Sequence, residues 1–322
     1  MKTKPTQNLL AAALVCTLLA STAEAEQGGS GHYTPGATAS FIDAAPDQPG
    51  LAVLNIFLDY DNANFDASHG LPEGSEIALN VNANVQADSV LGFWTFTPEI
   101  LGAHYSVGTA IPYVWADVKA TGTIATPGGP VSASKSDWTT GIGDIEFWPF
   151  MLGWKQGDFK YDVRLAVYAP SGRYESGQLA NAGLGYWTFE PEVTFSWLSS
   201  KIGTEASIFA GVDFNTENTT VNYQSGDIFH IDGTIAQHLP LFGGFAGAGA
   251  NAFYYKQFTA DSGSGAKLGG FEAMSEGIGP EASYVRNFGK KTFALEAKWL
   301  PQTQVENTLK GNFIWVKAAL SF

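Results

Sequence analysis

A chain of 322 residues with 45% apolar, 13% aromatic and only 15% charged residues has ample material for a core and too much apolar surface for intrinsic disorder. A net charge of −14 excludes a nucleic-acid partner, because phosphate binding needs a basic face. With 37 glycines, 3 methionines and 17 Lys plus Arg, the composition does not fit a helical bundle.

Lys2 and Lys4 precede an apolar run over residues 9–20, and Ala23-Glu24-Ala25 supplies a small-x-small cleavage pattern. This predicts a cleaved signal peptide over residues 1–25, since the run is shorter than the roughly 20 residues a spanning helix needs. Cys16 is the sole cysteine, so the exported chain would have neither a disulfide nor a thiolate metal site. Residues 26–50 are rich in Gly, Pro, Ser and Ala and read as an irregular segment. Its small residues would suit packing inside a barrel as a plug.

From residue 51 onward the hydrophobic period is two. Leu54, Ile56, Leu58 and Tyr60 alternate with Asn55, Phe57, Asp59 and Asp61. The cleanest strand covers 77–88, with Ile77, Leu79, Val81, Ala83, Val85 and Ala87 on one face and Asn80, Asn82, Asn84, Gln86 and Asp88 on the other. Weaker strands follow at 101–117 and 141–154, and a clear one at 159–168 carries Lys160, Asp162 and Arg164 on its polar face. Further strands are expected at 187–198, 202–215, 229–238, 244–257, 271–287, 293–300 and 310–322. Tight turns at 155–158, 199–201, 239–243 and 288–291 alternate with long loops at 118–138, 171–186, 215–227, 258–270 and 301–309. Residues 89–100 read as a longer connection on the tight-turn side.

The pattern predicts an all-β fold, an antiparallel transmembrane β-barrel of about twelve strands over residues 51–322, with short periplasmic turns and long extracellular loops. A secreted sandwich also alternates, but its polar face carries abundant charge and its strands average about 5–6 residues. Here the polar face is mostly Asn, Thr, Ser and Gly, and several segments reach the length that hydrocarbon requires. Tyr60, Tyr113, Trp115, Trp138, Trp154, Trp187, Trp197 and Trp299 lie near strand ends and fit interfacial girdles. The alternating end of the chain, finishing on Phe322, resembles the terminal strand of bacterial outer-membrane barrels, and this implies the barrel-assembly machinery as a partner.

No nucleophile elbow, zinc-protease motif or phosphate loop occurs, so no catalytic or cofactor site is expected. The histidines are His32, His69, His104, His230 and His238. None pairs at metal-ligand spacing, since His230 and His238 lie about 27 Å apart along an extended strand, and no metal site is expected. The candidates for lining the lumen are the polar-face residues Asn55, Asp59, Asn80, Asn82, Asn84, Gln86, Asp88, Glu146, Lys160, Asp162, Arg164, Glu190, Glu192, His230 and Asp232. They would either hold a narrow interior together or border a path. Tyr174, Tyr186 and Tyr223 are candidates for an aromatic patch at the mouth, or for girdle anchors.

Several ordered motifs resemble the SphA-like family of phenol meta-pathway proteins, which are outer-membrane transporter-like barrels. They are Thr140-Gly141-Ile142-Gly143-Asp144-Ile145, Ala169-Pro170-Ser171-Gly172-Arg173-Tyr174, Asn181 with Gly183, Tyr223-Gln224-Ser225-Gly226-Asp227, Tyr254-Tyr255-Lys256-Gln257, Asp261-Ser262-Gly263-Ser264-Gly265-Ala266 and Gly277-Ile278-Gly279-Pro280. A looser likeness extends to the larger fatty-acid and aromatic-hydrocarbon channels. The resemblance implies passive uptake of hydrophobic or aromatic small molecules across the bacterial outer membrane, with membrane lipid and lipopolysaccharide as surroundings. Two other readings stay open: an outer-membrane lipid hydrolase, and a structural or adhesive barrel with a closed lumen.

Overall fold

A computed structural model describes residues 31–70, 76–124, 129–266 and 270–322, without the side chains of 66–70 and 76–78. The signal-peptide reading and the start of the irregular segment lie outside the described residues, as does the side chain of His69. The strands are β1 (Gly50–Gly70), β2 (Glu76–Ile100), β3 (Ala103–Ile124), β4 (Val131–Ile142), β5 (Ile145–Gln156), β6 (Phe159–Ala169), β7 (Thr188–Leu198), β8 (Thr204–Asn215), β9 (Ile228–Leu241), β10 (Gly244–Gln257), β11 (Met274–Phe288), β12 (Lys291–Glu306) and β13 (Lys310–Ser321). Every pairing is antiparallel, and β1 pairs with β13 through Leu54↔Ala319 and Leu58↔Trp315, which closes the sheet. β4 and β5 both pair with β3, over Tyr113–Ile124 and His104–Ala110 respectively. They are two halves of one wall strand broken at Gly143 and Asp144, so the barrel has twelve strands. Closure removes the sheet edge across the β1–β13 seam, which is what hydrocarbon demands, and leaves β4 paired on one side only, with β3, above it.

The connections alternate as expected, with three corrections, the third being 301–309, expected as a long loop, where β12 continues to Glu306 and β13 starts at Lys310. Residues 89–100 are strand, not a connection, and the turn is Leu101-Gly102, where both residues take positive φ (54° and 74°). Phe242-Gly243 repeats this geometry at 50° and 75°. Such turns match the right-handed twist of a hairpin. The second correction concerns 118–138, expected as a loop: β3 continues to Ile124 and β4 starts at Val131.

Wall height is uneven. β6, β7 and β8 have 11, 11 and 12 residues, enough at ordinary rise and tilt to cross about 28 Å, close to the apolar band of about 25 Å. β1, β2 and β3 have 21, 25 and 22 residues and project beyond the band on the long-loop side. The outer face of β2 records the transition. Val90, Trp94 and Phe96 face outward within the band, whereas Asn82, Asn84 and Gln86 face outward above it. Around the rest of the barrel Val193, Phe195, Ile208, Phe229, Ile235 and Ile278 form the apolar exterior. Tyr113, Trp115, Trp138, Trp187 and Trp299 point outward. Tyr60, expected in the girdle, points inward and stacks on Phe313 at 4.3 Å.

Leucine at Leu101 holds a left-handed backbone conformation that costs an L-residue about 1–2 kcal/mol, whereas asparagine tolerates it. Leu101→Asn should therefore raise stability by about 1 kcal/mol, read as a higher urea midpoint for the loss of heat-modifiable gel mobility. An unchanged or lower midpoint would contradict the strain argument.

Candidate functional site

The inward side chains divide the lumen lengthwise. β1, β2 and β3 present an apolar wall that includes Leu54, Ile56, Leu58, Ala87, Leu91, Val114 and Ala116. β6 to β9 and β11 to β13 present a charged wall. Among the described residues the buried set holds ten carboxylates but only three Lys or Arg side chains, Arg164, Lys298 and Lys317. Two histidines, His230 and His238, are buried with them.

Residues 31–49 run down this charged wall, inside the barrel, from the long-loop end to the short-turn end. His32 lies 3.0 Å from Asp144 at the top, and Asp47 meets Lys155 at 2.5 Å beside the β5–β6 turn. Between them the backbone N–H groups of Tyr33, Gly36, Phe41 and Ala45 donate to Asp213 (3.3 Å), Asp232 (2.8 Å), Glu205 (2.8 Å) and Asp162 (3.0 Å). Lys317 clamps both oxygens of Asp43 at 2.7 Å, and Arg164 donates to the Asp43 carbonyl at 3.1 Å. Lys298 and Trp315 donate to the carbonyls of Gly36 and Pro35. The opposite side of the segment is small and apolar: Ala45 packs with Ala52, Leu54 and Leu91, and Ala37 with Leu58.

The lumen-lining candidates separate into two groups. Asp162, Arg164, Glu190, Glu192, His230 and Asp232 are buried and face inward, as Lys160 does at 3.5 Å from Asp47. They contact one another or the inner segment. Arg164 reaches Asp162 at 2.7 Å and Glu192 at 3.2 Å, and it lies over the Phe209 ring. Glu146 is half-buried beside Tyr168. Asn55, Asp59, Asn80, Asn82, Asn84, Gln86 and Asp88 are a correction, because they lie on the outer face of β1 and β2, where Asn55 donates to Asp88 at 2.6 Å and Gln86 to Asp59 at 3.2 Å. The apolar residues between them face the lumen. The projecting end of β2 stands above the apolar band, so its exterior meets water and its polarity is reversed.

On the charged side the mouth carries two loop knots built from the motifs of the family resemblance. Asp144, in the break between β4 and β5, accepts from the N–H groups of Gly172 (2.8 Å) and Leu184 (2.7 Å). Gly172 and Gly183 touch so closely that a Cβ on either would come within 2.8 Å of the other's Cα. In the second knot Asp261 accepts from Tyr223 (2.5 Å), Gly226 (3.0 Å) and Gln257 (2.7 Å). Tyr186 and Tyr223 are therefore buried pins rather than an exposed aromatic patch, and Tyr174 is half-buried against Gly185. His32 joins Asp144 to Thr188, a trio that resembles a hydrolytic relay. Thr188, however, is fully buried and donates its own hydroxyl proton to Asn215 at 2.6 Å, so its hydroxyl is engaged within the wall.

Asp43 was not among the sequence candidates, yet it anchors the inner segment. Burial pushes its carboxyl pKa up, but Lys317 and Lys298 more than offset this and hold it below the usual aspartate value. A depressed pKa means the docking contribution is complete above about pH 4 and is lost as pH falls through the docked value. Asp43→Asn leaves Lys317 buried against Glu296 alone and should weaken docking by about 3–5 kcal/mol. The expected readout is faster thiol labelling of a cysteine at Ala44 in folded protein at pH 7. Lys317→Met added to Asp43→Asn should restore part of the protection. Equal labelling in all three proteins would contradict the anchor.

Comparison with known proteins agrees with this architecture. No curated protein matches the chain by sequence. An outer membrane channel from Pseudomonas putida F1 shares the fold with a TM-score of 0.55 at 11% identity, over 90% of this chain and 100% of that one. The beta domain of a Bordetella autotransporter overlaps 85% of this chain and 99% of its own at 10% identity, with a TM-score of 0.40. The family model described as "Putative MetA-pathway of phenol degradation" matches residues 68–318, and the chain belongs to that family.

Proposed function

We propose that the protein is an outer-membrane channel through which hydrophobic or aromatic small molecules diffuse passively along the apolar wall. The observation that carries this is the two-sided lumen. The inner segment is hydrogen-bonded to the charged wall, while on the other wall Ile56, Val85, Ala87, Val114 and Val118 remain only half-buried. An apolar solute moving there crosses no ion pair and desolvates no charge, so its barrier is low. A sugar of the same size gains nothing from that surface and loses its own hydration.

Support comes from the description of the family and from the likeness to the Pseudomonas putida channel. A bacterial outer-membrane location belongs to the same reading and is supported by that likeness together with the closed barrel and its apolar exterior. Residues 1–25 act on this reading as a cleaved signal peptide. The polar exterior of the projecting β1–β4 panel then stands among lipopolysaccharide headgroups, and the short turns face the periplasm.

The test is flux into liposomes whose outer leaflet is lipopolysaccharide, with folding verified by heat-modifiable migration. Small aromatic solutes should enter faster than through protein-free membranes, and faster than sugars of equal size. Ala116→Trp, which fills the apolar side, should cut aromatic flux severalfold. Flux without aromatic preference, or flux indifferent to Ala116→Trp, would overturn the proposal.

A further inference from the structure

Three strands bring their inward chemistry to one point in the charged wall. Glu190 of β7, Asp213 of β8 and His230 of β9 are all buried, and one ligand-capable atom from each lies within 4.8 Å of the others. His230 Nε2 is 2.8 Å from Glu190 Oε1 and 3.6 Å from Asp213 Oδ1. Gly211 opens the space these groups share, since a Cβ there would stand 2.5 Å from His230 Nε2 and 3.2 Å from Glu190 Oε1.

We propose that Glu190, Asp213 and His230 form a binding site for a first-row divalent cation. One imidazole and two carboxylates are a donor set that suits zinc, manganese or ferrous iron better than calcium. Metal–ligand bonds of about 2.0–2.2 Å put neighbouring ligand atoms about 3–4 Å apart, so the present spacing needs shifts of only tenths of an ångström.

Two further observations point to a missing cation. Asp213 Oδ1 and His230 Nε2, two of the three atoms that would hold the ion, are buried and make no hydrogen bond, although Asp213 is 0% and His230 1% exposed. Glu192 and Asp232 are buried as well, and Arg164 is already engaged by Asp162 and Glu192. Two carboxylates facing one imidazole in a low-dielectric interior leave negative charge that a divalent ion would neutralise.

The site lies beneath the inner segment. Tyr33 stacks on the His230 ring at 3.9 Å, donates its N–H to Asp213 and its hydroxyl to Asp232 at 2.6 Å. An ion here would tie three adjacent strands together and fix the surface on which Tyr33 rests. No local motif marks the site, because the donors come together across three strands rather than spaced along one.

The experiment uses the full-length protein folded in detergent with and without Zn²⁺, then dialysed against buffer. Metal content by mass spectrometry should be one Zn²⁺ per folded chain. Asp213→Asn and Glu190→Gln are nearly isosteric, should stay heat-modifiable, and should each weaken binding at least about tenfold. Co²⁺-loaded wild-type protein supplies a second readout that does not depend on the variants folding. Its d–d absorption should be that of a low-symmetry protein site rather than of the aquo ion. Sub-stoichiometric zinc in folded wild-type protein, an aquo-like cobalt spectrum, or equal affinity in both folded variants would overturn the site.

Discussion

Charge taken out of water must find partners, and this constraint organises the interior of the barrel. The charged wall buries more carboxylates than its Lys and Arg residues can pair. The inner segment supplies what is lacking in an unexpected form, as backbone N–H donors. Residues 31–49 belong to no strand, so their amides have no ladder to join. Four of them turn to Asp213, Asp232, Glu205 and Asp162, hydrogen bonds to charged groups worth about 1.5–3 kcal/mol each. Irregular backbone and surplus carboxylates thus satisfy one another. The abundance of small residues in the segment follows, because bulky side chains would keep the amides from the wall.

Asymmetry of the lumen is the functional consequence. An ion-rich interior all round would hold the segment from every side and repel apolar solutes. Confining the charge to one side anchors the segment there and leaves the surface of β1, β2 and β3 free of polar anchors. The same three strands are the tallest, so the apolar surface continues above the membrane. There Leu79, Val81, Ala133 and Leu179 of the β6–β7 loop pack against Ala120 and Ile124. The knots at Asp144 and Asp261 cap the charged side. The family motifs, scattered in sequence, serve in this structure to fasten that cap.

Much of the fold was legible because strand alternation survives noise: twelve strands, closure and the alternation of turn and loop follow from period-two patterns and Gly-rich connections. The faces were less legible. At 77–88 the alternation is clean, but a pattern of period two is symmetric under exchange of inside and outside. What decides between them is height above the apolar band, which one strand alone does not encode. The outward position of Asn82, Asn84 and Gln86 is the result. On β6 to β9, which lie within the band, the polar face could only point inward, and Asp162, Arg164, His230 and Asp232 were placed by the same logic. Asp43, Lys317 and the Glu190–Asp213–His230 group depend on register and on the path of an irregular segment. Neither is written in any local pattern.

Chemical accessibility of the two walls is the measurement that tests the account most directly. With Cys16 replaced, single cysteines at Val85, Val114 and Val118 on the apolar wall, and at Thr194 and Ser283 on the charged wall, would be challenged with a small apolar aromatic thiol reagent in folded protein. The account predicts rapid labelling at the three apolar-wall positions, slowed by an excess of a simple aromatic solute, and little labelling behind the inner segment. Equal labelling of both walls, or silence at the apolar wall, would contradict a solute path on that side.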